Sequence, residues 1–297
     1  MTGTVLVLGA NGNFGSHAAR EFGAAGWQVR RFQRGSDMAA AAMGVEVIVN
    51  GLNPPNYHNW ARLVPEITAQ VIAAGLASGA TVLVPGNVYV FGDQPGIWGA
   101  ETPHRPVSRK GAIRVEMERA YRQASEKGLR VILLRGGDFL DPAAQNSIFN
   151  LAVLKKLARG IVTSPGSATA RRAHAYLPDI ARAAVGLAGV RASLPAFADI
   201  PFAGHSFSME DLRGRLQALS GRPVRLAQFG WLPLRLLAPV WELARELVEM
   251  RSLYDTPHSL DPAPLAALLP DFRATPLDII LAAHLPVAPP QGALRAA

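Results

Sequence analysis

The chain contains no cysteine. Disulfides, thiolate nucleophiles and cysteine-based metal sites are therefore excluded. The His, Asp and Glu residues show no spacing that resembles a metal site. Lysine is scarce, because 26 of the 30 basic residues are arginine. The net charge of +8 would suit a nucleic-acid partner, but no run of basic residues interleaved with aromatics occurs to form its footprint. An anionic ligand and a general richness in arginine account for the charge more simply, so no direct nucleic-acid partner is expected. Charge is absent from Ile67 to Gly92, a stretch long enough to cross a membrane. Gly75, Gly79, Pro85 and Gly86 interrupt it, and its pattern turns from helical to strand-like near Ala80. It reads as a buried helix–turn–strand, and no membrane is expected. No internal repeat is visible. Met1 leads straight into the first apolar run, leaving no room for a signal peptide. With the missing cysteine, this points to a cytoplasmic protein.

What is present is organised by residues 4–34. With 297 residues, 49% of them hydrophobic, the chain suits one large domain or two unequal ones. Val5, Leu6, Val7 and Leu8 form a continuous apolar run, as a strand buried on both faces should. Gly9, Gly12 and Gly15 follow at once, and Phe14, Ala18 and Phe22 then recur every four residues, one face of a helix. Gly26 ends that helix, and Gln28 to Phe32 reads as the next strand. Strand, glycine turn, helix and strand make the first half of a dinucleotide-binding unit. Gly9 permits the tight turn, Gly12 lets a pyrophosphate approach the backbone, and Gly15 lets the helix pack on the strand. Phosphates would sit on free N–H groups at the positive end of the helix. A tight turn that binds nothing is the alternative, but three glycines between a strand and an amphipathic helix are a specific signal.

An NAD site usually carries an acid about 20 residues past the glycines, bonding the ribose 2′-hydroxyl. No acid occurs between Gln28 and Gly35, where Arg30, Arg31 and Arg34 stand instead. A guanidinium there suits a 2′-phosphate, so NADP is expected over NAD. Arg30 and Arg31 point to opposite faces of the strand, so at most one of them helps. About ten residues, 35–44, separate the second strand from the apolar run Val45 to Asn50. That is room for two helical turns, so the strand that would flank Gln28–Phe32 on its outer side should be missing. Val45–Asn50 should instead pair beside the first strand, leaving Gln28–Phe32 as the sheet edge.

The spacing Gly-x-x-Gly-x-x-Gly, with Ala10 and Asn11 inside, resembles the extended and atypical short-chain dehydrogenase/reductase superfamily, including NAD-dependent epimerase/dehydratase-like and NmrA-like branches. The resemblance covers residues 1–205 well and the remainder loosely. It implies an α/β fold: a Rossmann-type doubly wound parallel sheet with a smaller α-rich C-terminal substrate region. Residues 1–195 would be the dinucleotide-binding domain. Residues 196–297 would be a substrate-binding cap, interleaved with 136–178. The cofactor residues this implies are Gly9, Asn11, Gly12, Asn13, Phe14, Gly15, Arg34, Asn53 and Arg114. Asn53 lies in the Gly/Pro loop from Asn50 to Tyr57, at the carboxyl end of a strand, where ligands bind in open α/β sheets.

The superfamily places a catalytic Ser or Thr after the strand Thr81–Pro85, followed by Tyr-x-x-x-Lys on a helix. Here the first segment is Val-Pro-Gly-Asn-Val-Tyr-Val-Phe-Gly-Asp, residues 84–93, with Asn87 at the hydroxyl position. Asn can bond a substrate carbonyl but cannot relay a proton. The helix segment, residues 106–118, puts Lys110 at the tyrosine position and Arg114 at the lysine position, with Gly111 and Glu118 fitting the match. Arg114 could hold ribose or phosphate as a fixed cation. Lys110 could donate a proton only with a strongly lowered pKa; a cationic pair without proton chemistry is the alternative. If catalysis remains, the donor is expected to be Tyr89 or Tyr176. Tyr176 lies in a cluster with Arg171, Arg172, His174 and Asp179. Asp138, Phe139 and Asn146 fall where the superfamily's substrate contacts lie.

The C-terminal half reads as a helix at Ser147–Ala158, an extended stretch at Ile161–Thr163, and a helix from an acidic N-cap at Asp179 to Ala188. A strand at Phe197–Phe202 and helices at Ser208–Leu219, Pro239–Met250 and Pro276–Leu285 follow. The tail from Pro286 should be frayed. Two functions follow from the resemblance. One is an NADP-dependent oxidoreductase or epimerase/dehydratase-like enzyme acting on a small carbonyl or hydroxyl substrate. The other is a non-catalytic NADP-sensing regulator. Long polar loops favour the enzyme. A homodimer is left open.

Overall fold

The computed structural model describes residues 3–144 and 147–285. Asn146 and the tail from Pro286 lie outside the described residues. The first half runs β1 (Thr4–Leu8), α1 (Asn13–Ala24), β2 (Gln28–Arg31), α2 (Met38–Ala42), β3 (Val47–Asn50), α3 (Trp60–Ser78) and β4 (Thr81–Gly86). Then come β5 (Gly96–Trp98), α4 (Arg109–Ser125), β6 (Val131–Arg135), β7 (Asp138–Leu140) and β8 (Ile161–Ser164). The remainder is β9 (Arg172–Tyr176), α5 (Leu177–Gly189), β10 (Phe197–Pro201), β11 (His205–Phe207), α6 (Met209–Ser220) and β12 (Arg225–Gln228). It closes with α7 (Trp231–Leu237), α8 (Glu242–Glu249), β13 (His258–Leu260), α9 (Ala263–Leu268) and α10 (Leu277–Ala282).

The central sheet has six strands in the order β10-β6-β4-β3-β1-β2, and every pairing is parallel. β1, β3, β4 and β6 are apolar and almost wholly buried, because helices cover both faces. One core layer includes Phe14, Ala18 and Phe22 of α1 with α5, and the other includes α3 and α4. The expected pairing of β3 beside β1, with β2 at the edge, is what the sheet shows. Residues 35–44 hold only α2, capped by Asp37, whose carboxylate accepts from the Ala39 and Ala40 N–H groups. The sheet runs past residue 195, since β10 pairs with β6 over its whole length.

Three small strand groups build the region below the sheet's carboxyl edge: β11-β9-β7, β12-β8 and β13-β5. Each joins segments distant in the chain, which local periodicity does not reveal. Four expectations need correction. Residues 147–158 are not one helix but a single π-turn, Phe149–Val153, and a short 3-10 turn at Leu157–Arg159; Phe149, Val153, Leu154 and Leu157 all pack into one buried cluster. α5 starts at Leu177, so Asp179 sits inside the first turn rather than at the cap. The expected helix 239–250 is α8 alone, which starts at Glu242, and α7 before it was not expected. The closing helix is also shorter than expected, ending at Ala282. No helix among the described residues is long and apolar enough to cross a membrane.

Candidate functional site

The end of the candidate site at the start of α1 is built from backbone. Gly9 has φ +67°, and a Cβ there would lie 2.7 Å from the Gly51 carbonyl oxygen. A Cβ on Gly15 would lie 2.2 Å from the Gly9 carbonyl oxygen. The turn after β1, the start of α1 and the turn after β3 therefore cross at a distance that only glycine allows. Gly51, which the glycine spacing did not single out, is part of this crossing; the Asn50-Gly51 pair at a strand end was its only signal. α1 is 12 residues long, its N-cap Gly12 supplies no side-chain oxygen, and its first turn carries no acid. Its N-terminal N–H groups and positive dipole end are left for an anion. Asn11 and Gly12 are exposed and Asn13 half-buried. The Phe14 side chain is in the core, so only its backbone can face a ligand. Arg34 is exposed and makes no hydrogen bond or ion pair with the described residues, whereas Arg30 donates to the Met43 carbonyl at 2.8 Å.

The other end, past β3 and β4, is built from side chains. Among the described residues, the non-glycine positive φ values are all in one loop, at Asn56, Tyr57 and Asn59. Such strain gathers where a loop presents a side chain to a site. Tyr57 brings its hydroxyl to 3.3 Å from that of Tyr89. Burial, then the nearby Tyr57, Asp138 and Tyr254, pushes the Tyr89 phenol well above the ordinary range. Burial raises Tyr57 and Tyr254 in the same direction. Asp138 accepts from Arg172 at 2.8 Å, and the Arg172 guanidinium lies 4.9 Å from the Tyr254 ring centre. Asn87 sits at the foot of this group. Its side-chain oxygen accepts from the Tyr89 N–H at 3.0 Å, leaving its amide N–H groups for a ligand oxygen.

Arg114 donates to Asn53 at 2.8 Å and stacks 4.7 Å over Trp60. Burial lowers its guanidinium from the usual range, and its Nε is buried with no partner. An orphaned donor beside the strand ends fits an anionic or hydroxyl ligand. Lys110 is different. It is 1% exposed and bonded to Glu246, and to Glu249 at 2.8 Å, both on α8. The expectation of Lys110 as proton donor is therefore corrected: its ammonium is a tether for α8. Glu242, Glu246 and Glu249 line one face of α8 and bind His58, Arg109 and Lys110. The sequence reading missed these glutamates, because only their spacing, four and three residues, marked them.

Tyr176 is also corrected. It precedes α5 at the far end of β9 from Arg172, about 13 Å away at 3.3 Å per residue. Burial, Asp141 and Asp179 raise its phenol, but it joins neither Tyr89 nor Arg114. Of its cluster, Arg172 alone reaches the tyrosines. Arg171 pairs with Asp211 outside. His174 is buried, stacked on Phe207 at 4.0 Å, and pushed well below the imidazole range by burial and Arg172. Asp179 accepts from Arg182 and from the Thr275 N–H and hydroxyl, tying the chain before α10 to α5. Phe139 packs on the core.

One buried ion cluster holds the end of the sheet. Arg135, 0% exposed, is bidentate to Glu118 at 3.0 and 2.8 Å and to Asp199 at 3.2 and 2.6 Å. It also donates to the Asn87 carbonyl at 2.6 Å, so β4, α4, β6 and β10 meet on one guanidinium. Burial opposes its charge, but the two carboxylates outweigh that and raise its pKa.

No protein-family model and no curated protein matches the sequence. Solved structures do. The chain is similar to MoeE5, solved with UDP-glucose and NAD, with a TM-score of 0.75 and 19% identity over 95% of this chain and 97% of that one. It is similar to UDP-glucuronic acid 4-epimerase from Bacillus cereus, solved with UDP-glucuronic acid and NAD, with a TM-score of 0.76, 14% identity, and 95% and 97% coverage. RMD from Pseudomonas aeruginosa, solved with NADPH, gives 0.72, 14%, and 96% and 98%. The chain has the α/β fold of these structures, with a Rossmann-type parallel sheet.

Proposed function

We propose that this chain binds NADP(H) and reduces a small carbonyl substrate, with Tyr89 as the proton donor. The observation that carries the reading is the half-buried Tyr57–Tyr89 hydroxyl pair in the loops after β3 and β4, beside Arg114 and Asn87. Solved neighbours that hold NAD or NADPH support a nicotinamide cofactor. The glycine crossing and the uncapped α1 fit its pyrophosphate. Arg34 fits the 2′-phosphate as an exposed guanidinium beyond the edge strand. Arg114 and Asn53 fit the nicotinamide-side ribose. When bound, the cofactor supplies a hydride.

The chain's own residues do the rest. The Asn87 amide donates to the substrate carbonyl oxygen and fixes its place. Tyr89 gives that oxygen a proton, and Tyr57 donates to the Tyr89 oxygen as its proton leaves. A phenol whose pKa is raised stays protonated at neutral pH, so it is ready to protonate an alkoxide. Its phenolate, the form that alcohol oxidation would start from, is scarce at neutral pH because the anion is costly there. Tyr89→Phe should lower kcat by about 10²–10⁴-fold and leave NADPH affinity unchanged. The kcat of the natural protein should show no fall below pH 10. Full kcat in Tyr89→Phe, in a carbonyl screen that gives turnover with the natural protein, would remove the assignment.

The second reading is a non-catalytic NADP-sensing regulator. The observation favouring it is Lys110, whose ammonium is paired with Glu246 and Glu249 of α8 although it lies 5.3 Å from the Tyr57 ring centre. It predicts no turnover with any carbonyl and equal affinities for NADP⁺ and NADPH.

A further inference from the structure

Apolar exposure is concentrated in one place. Among the described residues, twelve large hydrophobic side chains are exposed, and five of them fall between Leu232 and Trp241. Leu232 is 66% exposed, Leu236 73% and Val240 85%. Leu232 and Leu236 stand one turn apart on α7, with Leu237 beside them and Trp241 just beyond. Scattered single apolar residues need no explanation, but a ridge of this kind does.

Two segments flanking the ridge are rich in cations, and the acids beside it, Glu242 and Asp255, are paired with His58 and with the Ser167 N–H. Residues 212–241 contain five arginines and no acid, and residues 142–178 contain no acid either. Tertiary structure brings these two acid-free segments together, since β12 pairs with β8 and the Arg225 N–H donates to the Gly160 carbonyl at 2.8 Å. Lys155, Lys156, Arg159, Arg222, Arg225 and Arg235 are all exposed, and none forms an ion pair with the described residues. α7 is pinned to the same strands, because Trp231 Nε1 donates to the Pro165 carbonyl at 2.6 Å. Of the acids nearest in sequence, Glu246 and Glu249 are turned inward onto Arg109 and Lys110, and Glu242 pairs with His58 at the surface.

We propose that the α7 ridge and the cations flanking β8 and β12 form a docking surface for an anionic membrane. Leucine, valine and tryptophan enter the headgroup–acyl boundary, and the arginines meet the lipid phosphates. The excess of cations argues against a second copy of the chain. A two-fold contact would set this patch against itself, Arg235 toward Arg235, and the nearby Glu242 is already paired with His58. Nucleic acid would use the cations but leave the leucines and valine in water. The association is peripheral and differs from spanning, which requires a helix longer than any described.

The test is co-sedimentation of the full chain with vesicles of phosphatidylcholine alone or with 30 mol% phosphatidylglycerol (about a third anionic lipid, enough to attract a basic face). Binding to the anionic vesicles should exceed binding to neutral ones by about tenfold or more and weaken with salt. Leu232→Glu with Leu236→Glu should lower it by about 100-fold, and Arg235→Glu by several-fold. All three side chains are exposed, so the melting temperature should hold and report that the variants fold. Equal binding to both vesicles, or binding unaffected by the leucine changes, would overturn the proposal. So would a concentration-dependent dimer that Leu236→Glu dissociates in the absence of vesicle binding, which would make the ridge an interface between copies.

Discussion

The two ends of the candidate site are made of different material. The α1 end is a crossing of three backbone turns, and its shape depends on the side chains that Gly9, Gly15 and Gly51 do not have. The Tyr89 end is a set of half-buried hydroxyls and buried ion pairs, Tyr57 with Tyr89, Arg135 with Glu118 and Asp199, and Lys110 with α8. A backbone crossing tolerates almost no change in shape but carries no titrating group. The side-chain end tolerates changes in shape and is sensitive to the loss of a single charge.

That contrast can be broken or sharpened by mutation. Arg135→Met should have the largest effect on stability, about 3–5 kcal/mol, because the Asp199 carboxylate would be left buried without a cation and Glu118 with only His104, at 3.4 Å. Urea denaturation measures it, and a loss below about 1 kcal/mol would mean that the cluster does not hold the strand ends. Gly15→Ala should cost about 1–3 kcal/mol of stability through overpacking and remove NADPH binding. Fluorescence titration checks this, and retained affinity would show that the crossing can relax by the needed ångström. Arg34→Ala should weaken NADPH by about 1.5–3 kcal/mol and leave NADH nearly unchanged. Equal losses for the two, or a natural protein that prefers NADH, would assign the 2′-phosphate elsewhere.

The smallest effect is the acid sensitivity of the α8 tether. Burial pushes the Glu249 carboxyl up, but the hydrogen bond and charge of Lys110, with the Arg109 N–H, outweigh it and hold it below the usual range. A depressed carboxyl contributes stability above its unfolded value, about 4.3, and loses it as pH falls through the lower folded value. The natural protein should therefore weaken as pH drops below about 4. Lys110→Met should flatten that slope while leaving the α1 end, and so NADPH affinity, intact. Melting curves at pH 3.5 and 7 measure the slope, and an unchanged slope would mean that the tether does not act through Glu249.

Residues 4–34 specified their own structure. Val5–Leu8, the three glycines and the four-residue repeat of Phe14, Ala18 and Phe22 are local patterns, and each became the element it implied. The ten-residue interval after β2 likewise foretold an edge strand, since no chain remained to build another. Local patterning failed where partners came from far away. Tyr176 and Tyr89 read alike as tyrosines at strand ends or loops, and only the register of β9 against β7 and β11 separated them. Lys110 looked like a pocket residue, because nothing nearby announced that Glu246 and Glu249 reach it from more than 130 positions on. Tyr57 was part of a proline-rich loop until its positive φ aimed it at Tyr89. A glycine turn is specified by steric exclusion within a dozen residues, which the sequence states outright. A buried charge or hydroxyl is specified by what folds over it, which is decided only when the C-terminal segments close on the sheet.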